Sequence, residues 1–439
     1  MLKINLNIKI KTGLRCLFAL SAALSATICA AASFAQPAPA ALPAGMTQVT
    51  SVEGVTEYRL PNGLQVLLVP DDSKPTTTVN VTYRVGSRHE SYGETGMAHL
   101  LEHLIFKGTP TQKDLFGEFS KRGMRANGTT SNDRTNYFAS FAANEDTLRW
   151  YLGWQADAML NSLIARADLD TEMTVVRNEM EAGENSPSGV LLQQTLAAMY
   201  QWHNYGKGVI GARSDVENVD IARLQAFYRL HYQPDNATLI VAGRFDSVQV
   251  LGWVAQAFGP LPRPTRVLPT TYTLDPAQDG ERSLTLRRVG GTPFIFVGYH
   301  VPPGAHPDFA ATMLLAQVLG DTPGGRLHKR LVEKQLAAQT FALAWSLAEP
   351  GPMFIGASLA PGQDVDRAKA EILAVTHSLA AEPVTTEELE RARVQWLNAW
   401  GPGLRRPRGH RRAAVQCHCP GRLALVFFAA RPVAARRVG

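Results

Sequence analysis

The sequence predicts an α+β protein made of two duplicated α/β-sandwich units, each a mixed sheet flanked by helices. Three observations carry this expectation. Over residues 53–259, strand and helix patterns follow in the order strand, strand, helix, helix, strand, strand, helices. The same order returns over residues 281–400. Between them, residues 259–280 hold Gly259, Pro260, Pro262, Pro264, Pro269, Pro276 and Gly280, a density of breakers that marks a linker.

The elements follow in turn. Residues 36–52 begin rich in Ala and Pro and read as a flexible lead-in. Asn62-Gly63 between two apolar runs predicts a hairpin ending near Val69. Residues 76–85 alternate, with Val79, Val81, Tyr83 and Val85 on one face, as a half-buried strand does. Helical spacing runs from Thr95 to Phe106 and stops at Gly108-Thr109-Pro110. Two strands are expected over 125–131 and 135–142, then helices over 145–162, 168–184, 188–203 and 220–231, then a strand over 237–242. In the second unit, strands are expected over 282–288, 293–301, 339–347 and 352–360. Helices are expected there over 307–319, 325–335, 365–381 and 385–400.

The two ends differ from the body. Lys3, Lys9, Lys11 and Arg15 precede an apolar run over 16–32 and the small-residue site Ser33-Phe34-Ala35, which is the order of a secretory signal peptide over residues 1–35. The run is short for a transmembrane anchor, and Ile28 is too bulky for a lipid attachment at Cys29. Export points to the periplasm of a Gram-negative cell. Residues 401–439 contain nine Arg, no Lys and no acidic residue, and read as an aberrant tail such as an out-of-frame GC-rich gene produces. Removing the four and nine terminal basic residues from the total of 44 leaves 31 against 38 acidic residues, a net charge of −7 for the body. Nucleic acid is therefore not the expected partner, nor is a membrane span expected once the signal is removed. Residues 36–400 contain no Cys, so stability rests on core burial and any zinc ligands there must be His and carboxylate.

The chemistry concentrates in Gly96-Met97-Ala98-His99-Leu100-Leu101-Glu102-His103-Leu104. On a helix, residues four apart lie about 40° apart around the axis, so His99 and His103 share a face and can reach one metal ion. Glu102 lies beside that face, where a carboxylate can act as general base toward a water acidified by zinc. A solvated amphipathic helix is the bland alternative, but Leu100, Leu101 and Leu104 make the segment largely buried, and buried ionisable groups need partners. Glu179, about 75 residues on, is the expected third ligand; a solvated acidic face with Glu181 and Glu184 is the bland alternative, against which the flanking Met173, Val176 and Met180 argue. Glu172 sits two helical turns before it on the same face, where a second acid can orient a His or the water.

The inverted zinc motif with its distant Glu resembles the pitrilysin/insulysin family of metallopeptidases, which includes the mitochondrial processing peptidases. Leu60-Pro61-Asn62-Gly63-Leu64, Phe106-Lys107-Gly108-Thr109, Val175-Val176-Arg177-Asn178-Glu179-Met180 and Tyr232-Gln233-Pro234-Asp235-Asn236 resemble family segments in order, as do Asn127, Thr129 and Tyr137. The resemblance implies zinc on His99, His103 and Glu179, with Glu102 as base and Glu172 in support. It also implies that the strand around Asn127 takes an extended peptide by edge pairing. Family members enclose substrate between two halves of two units each. The chain then reads as one truncated half, weakly active without a second homologous half or subunit. The rival expectation is a non-catalytic partner or scaffold subunit of the same family, against which the intact quartet of His99, Glu102, His103 and Glu179 argues. The second unit has Phe309 to Leu315 where the first has its His pair, so catalysis belongs to the first unit alone. Cys417-His418-Cys419 near His410 has metal-binding residue types but no element around it, and is discounted.

Overall fold

A computed structural model of the chain describes residues 41–289 and 291–405. The expected signal peptide, the Cys417-His418-Cys419 cluster and the tail beyond Arg405 lie outside the described residues. In chain order the first unit contains β1 (Thr47–Val52), β2 (Val55–Arg59), β3 (Gln65–Pro70), β4 (Thr76–Tyr83), α1 (Met97–Ile105), α2 (Leu115–Lys121), β5 (Arg125–Thr130) and β6 (Thr135–Ala142). Then follow α3 (Glu145–Asn161), α4 (Arg166–Glu184), α5 (Pro187–Met199), α6 (Arg213–Glu217), α7 (Ile221–His231), β7 (Ala237–Gly243) and α8 (Ser247–Phe258). The second unit contains β8 (Phe294–Val301), α9 (Phe309–Gly320), β9 (Gln339–Ala344), β10 (Gly351–Ser358), α10 (Val365–Ser378) and α11 (Thr386–Arg405).

The fold is α+β. Seven strands form one sheet in the order β1-β2-β3-β7-β4-β6-β5, mixed because β3 and β7 run parallel. The Asn62-Gly63 turn joins β2 to β3 as expected, with Gly63 at φ +97 and Asn62 Nδ2 donating to Phe258 O at 2.8 Å and Leu261 O at 3.1 Å. The expected face of β4 is fully buried: Val79, Val81, Tyr83 and Val85 pack with Leu100, Leu101 and Leu104 of α1 and Tyr151 and Leu152 of α3 in one large core. Caps fix the helix starts; Asn144 Oδ1 accepts from Thr147 N at 2.8 Å and Asp246 Oδ1 from Gln249 N at 2.8 Å. Strand β5 ends the sheet, and its outer edge is unpaired among the described residues.

The second unit is smaller, three strands in the order β8-β10-β9, with α11 packed on α9. Its sheet also meets the first unit through Met199, Tyr200, Tyr205 and Phe354, with Leu196, Phe296, Phe341 and Trp345 against them. Residues 262–280 have no regular structure, as a linker should, but they are anchored: Arg266 holds Asp235 through two 2.7 Å bonds.

Three expectations are corrected. The lead-in expected over 36–52 is a strand at its end, since Thr47–Val52 pairs with β2. No strand forms over 282–288. Alternation makes a strand only beside a partner, and here Arg282 and Arg288 instead donate to Ala198 O and Glu184 O near the C-terminal ends of α5 and α4. The helix expected over 325–335 shrinks to a short helical segment centred on the π-turn His328–Val332. Helices α2, α6 and α8 were not anticipated.

Candidate metal centre

Helix α1 carries the motif because the loop before it is locked. Gly96 sits at φ +93, where a side chain is disfavoured, and it offers no cap of its own. The buried Glu90 supplies one instead, Oε2 accepting from Gly96 N and Oε1 from Ala98 N, both at 2.8 Å. Leu100, Leu101 and Leu104 fill the core, which turns His99, Glu102 and His103 toward α4 and β5. Helix α4 is held to the same core by Val176 and Met180, with Met173 packed against it, and this aims Glu172 and Glu179 at α1.

The structure brings the three expected ligands together. The Nε2 atoms of His99 and His103 lie 3.4 and 3.5 Å from the same Glu179 Oε2. Ligand atoms of the three residues all lie within 4.8 Å of one another. His103 Nδ1 is 3.0 Å from Glu172 Oε2; a carboxylate only accepts, so Nδ1 donates, and Nε2 is the nitrogen turned toward Glu179. Burial, then the neighbouring His103, lowers the His99 pKa to about 4, so that its imidazole is neutral at pH 7. Two imidazole nitrogens and one carboxylate oxygen, converging on one point, fit a zinc ion with an open fourth position. Glu181 and Glu184 stay apart from this cluster, and Glu184 pairs with Arg213.

Glu102 lies beside the triad. Thr130 Oγ1 donates to its Oε2 at 2.5 Å, and burial raises its pKa although Thr130 and His103 pull the other way. Gly128 of β5 passes so close that a Cβ there would sit 2.7 Å from Glu102 Cγ. Glu172 is gripped from its other side by the Lys107 ammonium. Burial alone would raise the Glu172 pKa, but the Lys107 and His103 bonds outweigh it and the pKa is lowered. Asn127 is on β5, exposed, and by strand alternation its side chain faces away from Glu102, so what β5 offers near the triad is its backbone edge. Tyr137 is buried under the helix, its hydroxyl donating to Leu101 O at 3.3 Å.

Sequence reasoning missed Lys107, Thr130, Gly128 and Glu90. Lys107 had a signal, being four residues after His103, although it lies in the turn just past the end of α1. The other three depend on which strand or loop the fold sets beside α1, and no local pattern reports that.

Comparison with known proteins identifies the family. The family profile described as "Insulinase (Peptidase family M16)" matches residues 65–213, and that described as "Peptidase M16 inactive domain" matches residues 218–395. Zinc protease PqqE of Helicobacter pylori is 32% identical over 344 residues, covering 76% of this chain and 77% of that protein. The uncharacterized zinc protease ML0855 of Mycobacterium leprae is 28% identical over 351 residues, covering 77% of each. A crystal structure of a protease from Helicobacter pylori aligns with a TM-score of 0.78 at 29% identity, over 83% of this chain and 88% of that one. The periplasmic protease PqqL from Escherichia coli shares the fold, with a TM-score of 0.69 at 20% identity over 84% of this chain and 43% of its own. Fold and site together define an inverted-motif metallopeptidase scaffold. The chain belongs to peptidase family M16, the insulinase family, of which pitrilysin and insulysin are members.

Proposed function

We infer that the chain is a zinc-dependent peptidase that hydrolyses extended peptides or small unfolded proteins. The observation that carries this is the convergence of His99 Nε2 and His103 Nε2 on Glu179 Oε2, with the half-buried Glu102 carboxylate alongside. His99, His103 and Glu179 would hold the ion, and Glu172, braced by Lys107, orients His103 through Nδ1. When bound, zinc supplies Lewis acidity, acidifying a water and polarising the scissile carbonyl. Glu102 is the base that takes a proton from the attacking water, and the raised pKa suits it to hold that proton and return it to the leaving amine. Thr130 fixes the carboxylate by its hydroxyl. The open edge of β5 around Asn127 accepts the substrate backbone as an added strand, which reads little of its sequence.

The rival reading, a non-catalytic partner or scaffold, draws on the match to the inactive domain, but that match covers 218–395 and leaves the residues of the metal cluster outside it. The leader over residues 1–35 supports export to the periplasm, and no helix among the described residues is long and apolar enough to cross a membrane. The test is Glu102→Gln in the zinc-loaded chain, assayed on a quenched-fluorescence peptide with and without a homologous partner half. Zinc content should hold while turnover drops at least about a hundredfold, in line with general-base contributions. A wild-type chain inert in both settings would instead favour the scaffold.

A further inference from the structure

The second unit touches the metal centre's two walls through one loop, residues 345–350 between β9 and β10. One wall is the loop that enters α1. Its Arg88 reaches Glu349 of the second unit, Nη1 to Oε1 at 2.6 Å, and donates through Nε to Asp133 Oδ1 at 2.7 Å. The other wall is the turn between β5 and β6, which carries Asp133. Asp133 Oδ2 accepts from Ala348 N at 2.9 Å, and both its oxygens accept from Tyr205 Oη, at 2.8 and 3.0 Å. Tyr205 Oη in turn accepts from Glu349 N at 3.1 Å. Glu349 is closed off by Thr271, which donates at 3.0 Å, and by the buried His203.

These contacts continue to the catalytic groups. Asn204 Nδ2 donates to Arg88 O at 2.6 Å and to Glu90 O at 2.8 Å, and Glu90 caps α1 at Gly96 and Ala98. Arg88 N donates to Asn132 O at 2.9 Å, tying the α1 loop to the β5–β6 turn. Three residues before Asp133, Thr130 holds Glu102. Between the base on α1 and its anchor on β5, the spacing is therefore set partly by a residue of the other unit.

We propose that Glu349 is a positioning residue, whose bond to Arg88 beside Asp133 clamps α1 and β5 in the register that seats Glu102. The side chains concerned are largely shielded, Arg88 at 14% exposure, Asp133 at 18% and Glu349 at 24%. With Glu349 neutral, Arg88 keeps Asp133 but loses its ionic bond to the second unit, and His203 loses its carboxylate.

The proposal rests on the peptidase reading for its kinetic arm, so the test has a second arm that does not. In the full chain, Glu349→Gln should lower kcat about tenfold with KM within twofold. In a Thr130→Val background, where Glu102 has already lost its anchor, the same change should cost less than threefold. Cobalt substituted for zinc gives a ligand-field spectrum even in a chain without activity, and Glu349→Gln should alter its intensity or weaken cobalt binding about fivefold. Arg88→Lys, which cannot hold Asp133 and Glu349 together, should act in the same direction and serves if Glu349→Gln does not fold. A chain inert in the wild type would sink the peptidase reading and leave the cobalt arm to judge the clamp. Unchanged cobalt spectra and affinity, with a lowered melting temperature as the sole effect, would show that Glu349 only glues the units together. Equal kcat losses in both backgrounds would overturn the clamp as well.

Discussion

Gly128→Ala tests the seat of the base with one methyl group. A Cβ at this position would lie 2.7 Å from Glu102 Cγ, 2.9 Å from Oε1 and 3.1 Å from Cδ. Ordinary carbon contacts fall at about 3.5–4.0 Å, so the Glu102 side chain must retreat by roughly 1 Å. That movement breaks the 2.5 Å bond from Thr130 and carries the carboxylate away from the point where the ligand atoms converge. A misplacement of about 1 Å can cost about a hundredfold in rate, so kcat should fall between about tenfold and a hundredfold. The backbone at Gly128 is not in the left-handed region, so the loss cannot be charged to strain. The three atoms nearest the new methyl all belong to Glu102, and zinc affinity should stay within about threefold of wild type. The assay is steady-state hydrolysis of a quenched-fluorescence peptide by zinc-loaded protein, with metal measured on the same samples. In a Glu102→Gln background the substitution should cost nothing further. A kcat within threefold of wild type, or an equal loss in the Glu102→Gln background, would refute the assigned seat of the base.

Three further outcomes are expected. Glu179→Gln should weaken zinc binding by at least about a hundredfold, since a ligand should matter no less than the groups that orient ligands, whereas Glu181→Gln should leave it unchanged; equal loss in both by chelator competition rejects Glu179. Burial first, then the neighbouring charges, lowers the His231 pKa to about 3 and the His89 pKa to about 4, so both are neutral when folded. A depressed folded pKa in a base means stability complete above about 6.5 and lost as pH falls toward 4. His231→Gln should therefore shrink the fall in urea-unfolding free energy of the zinc-free chain between pH 6.5 and 4 by about 3 kcal/mol, and an unchanged pH slope would be the contrary result. Zinc should bind at one equivalent per chain, because one cluster of His and carboxylate groups occurs among the described residues; a second equivalent lost on Cys417→Ser would show the discounted Cys-His-Cys cluster to be real.

What was legible in the sequence is what repeats at short range. His99 and His103 advertise themselves by helical spacing, and the pairing of Glu172 with Glu179 follows from the same arithmetic two turns apart. The β2–β3 hairpin was legible because Asn-Gly dictates its turn. The strand expected over 282–288 failed because alternation describes a chain's willingness to pair, while pairing needs a neighbour. Leu284 and Leu286 remain partly exposed where the arginines around them take helix-end carbonyls instead. The strand β1 was hidden by the Ala and Pro before it, although Val49 and Val52 carry β-type composition. Thr130 and Gly128 had no local signal at all: β5 comes to lie beside Glu102 by sheet order, after α2 and the whole α1–β5 connection.

Within the repeat, one unit holds the His-His-Glu cluster and the other meets that unit through equivalent hairpins. The run β4, α1, β5, β6 with sheet order β4-β6-β5 is matched by β8, α9, β9, β10 with order β8-β10-β9. At the third, sixth and seventh positions α1 has His99, Glu102 and His103, and α9 has Ala311, Leu314 and Leu315. Helix α9 therefore carries no ligand at these positions, and α11 lies against it. The hairpin was not given up. The β9–β10 loop with Glu349 is the counterpart of the β5–β6 turn with Asp133, and the two meet, Ala348 N donating to Asp133. Equivalent hairpins of the two units are thus joined, so the second unit bears on the turn that follows β5, the strand beside Glu102.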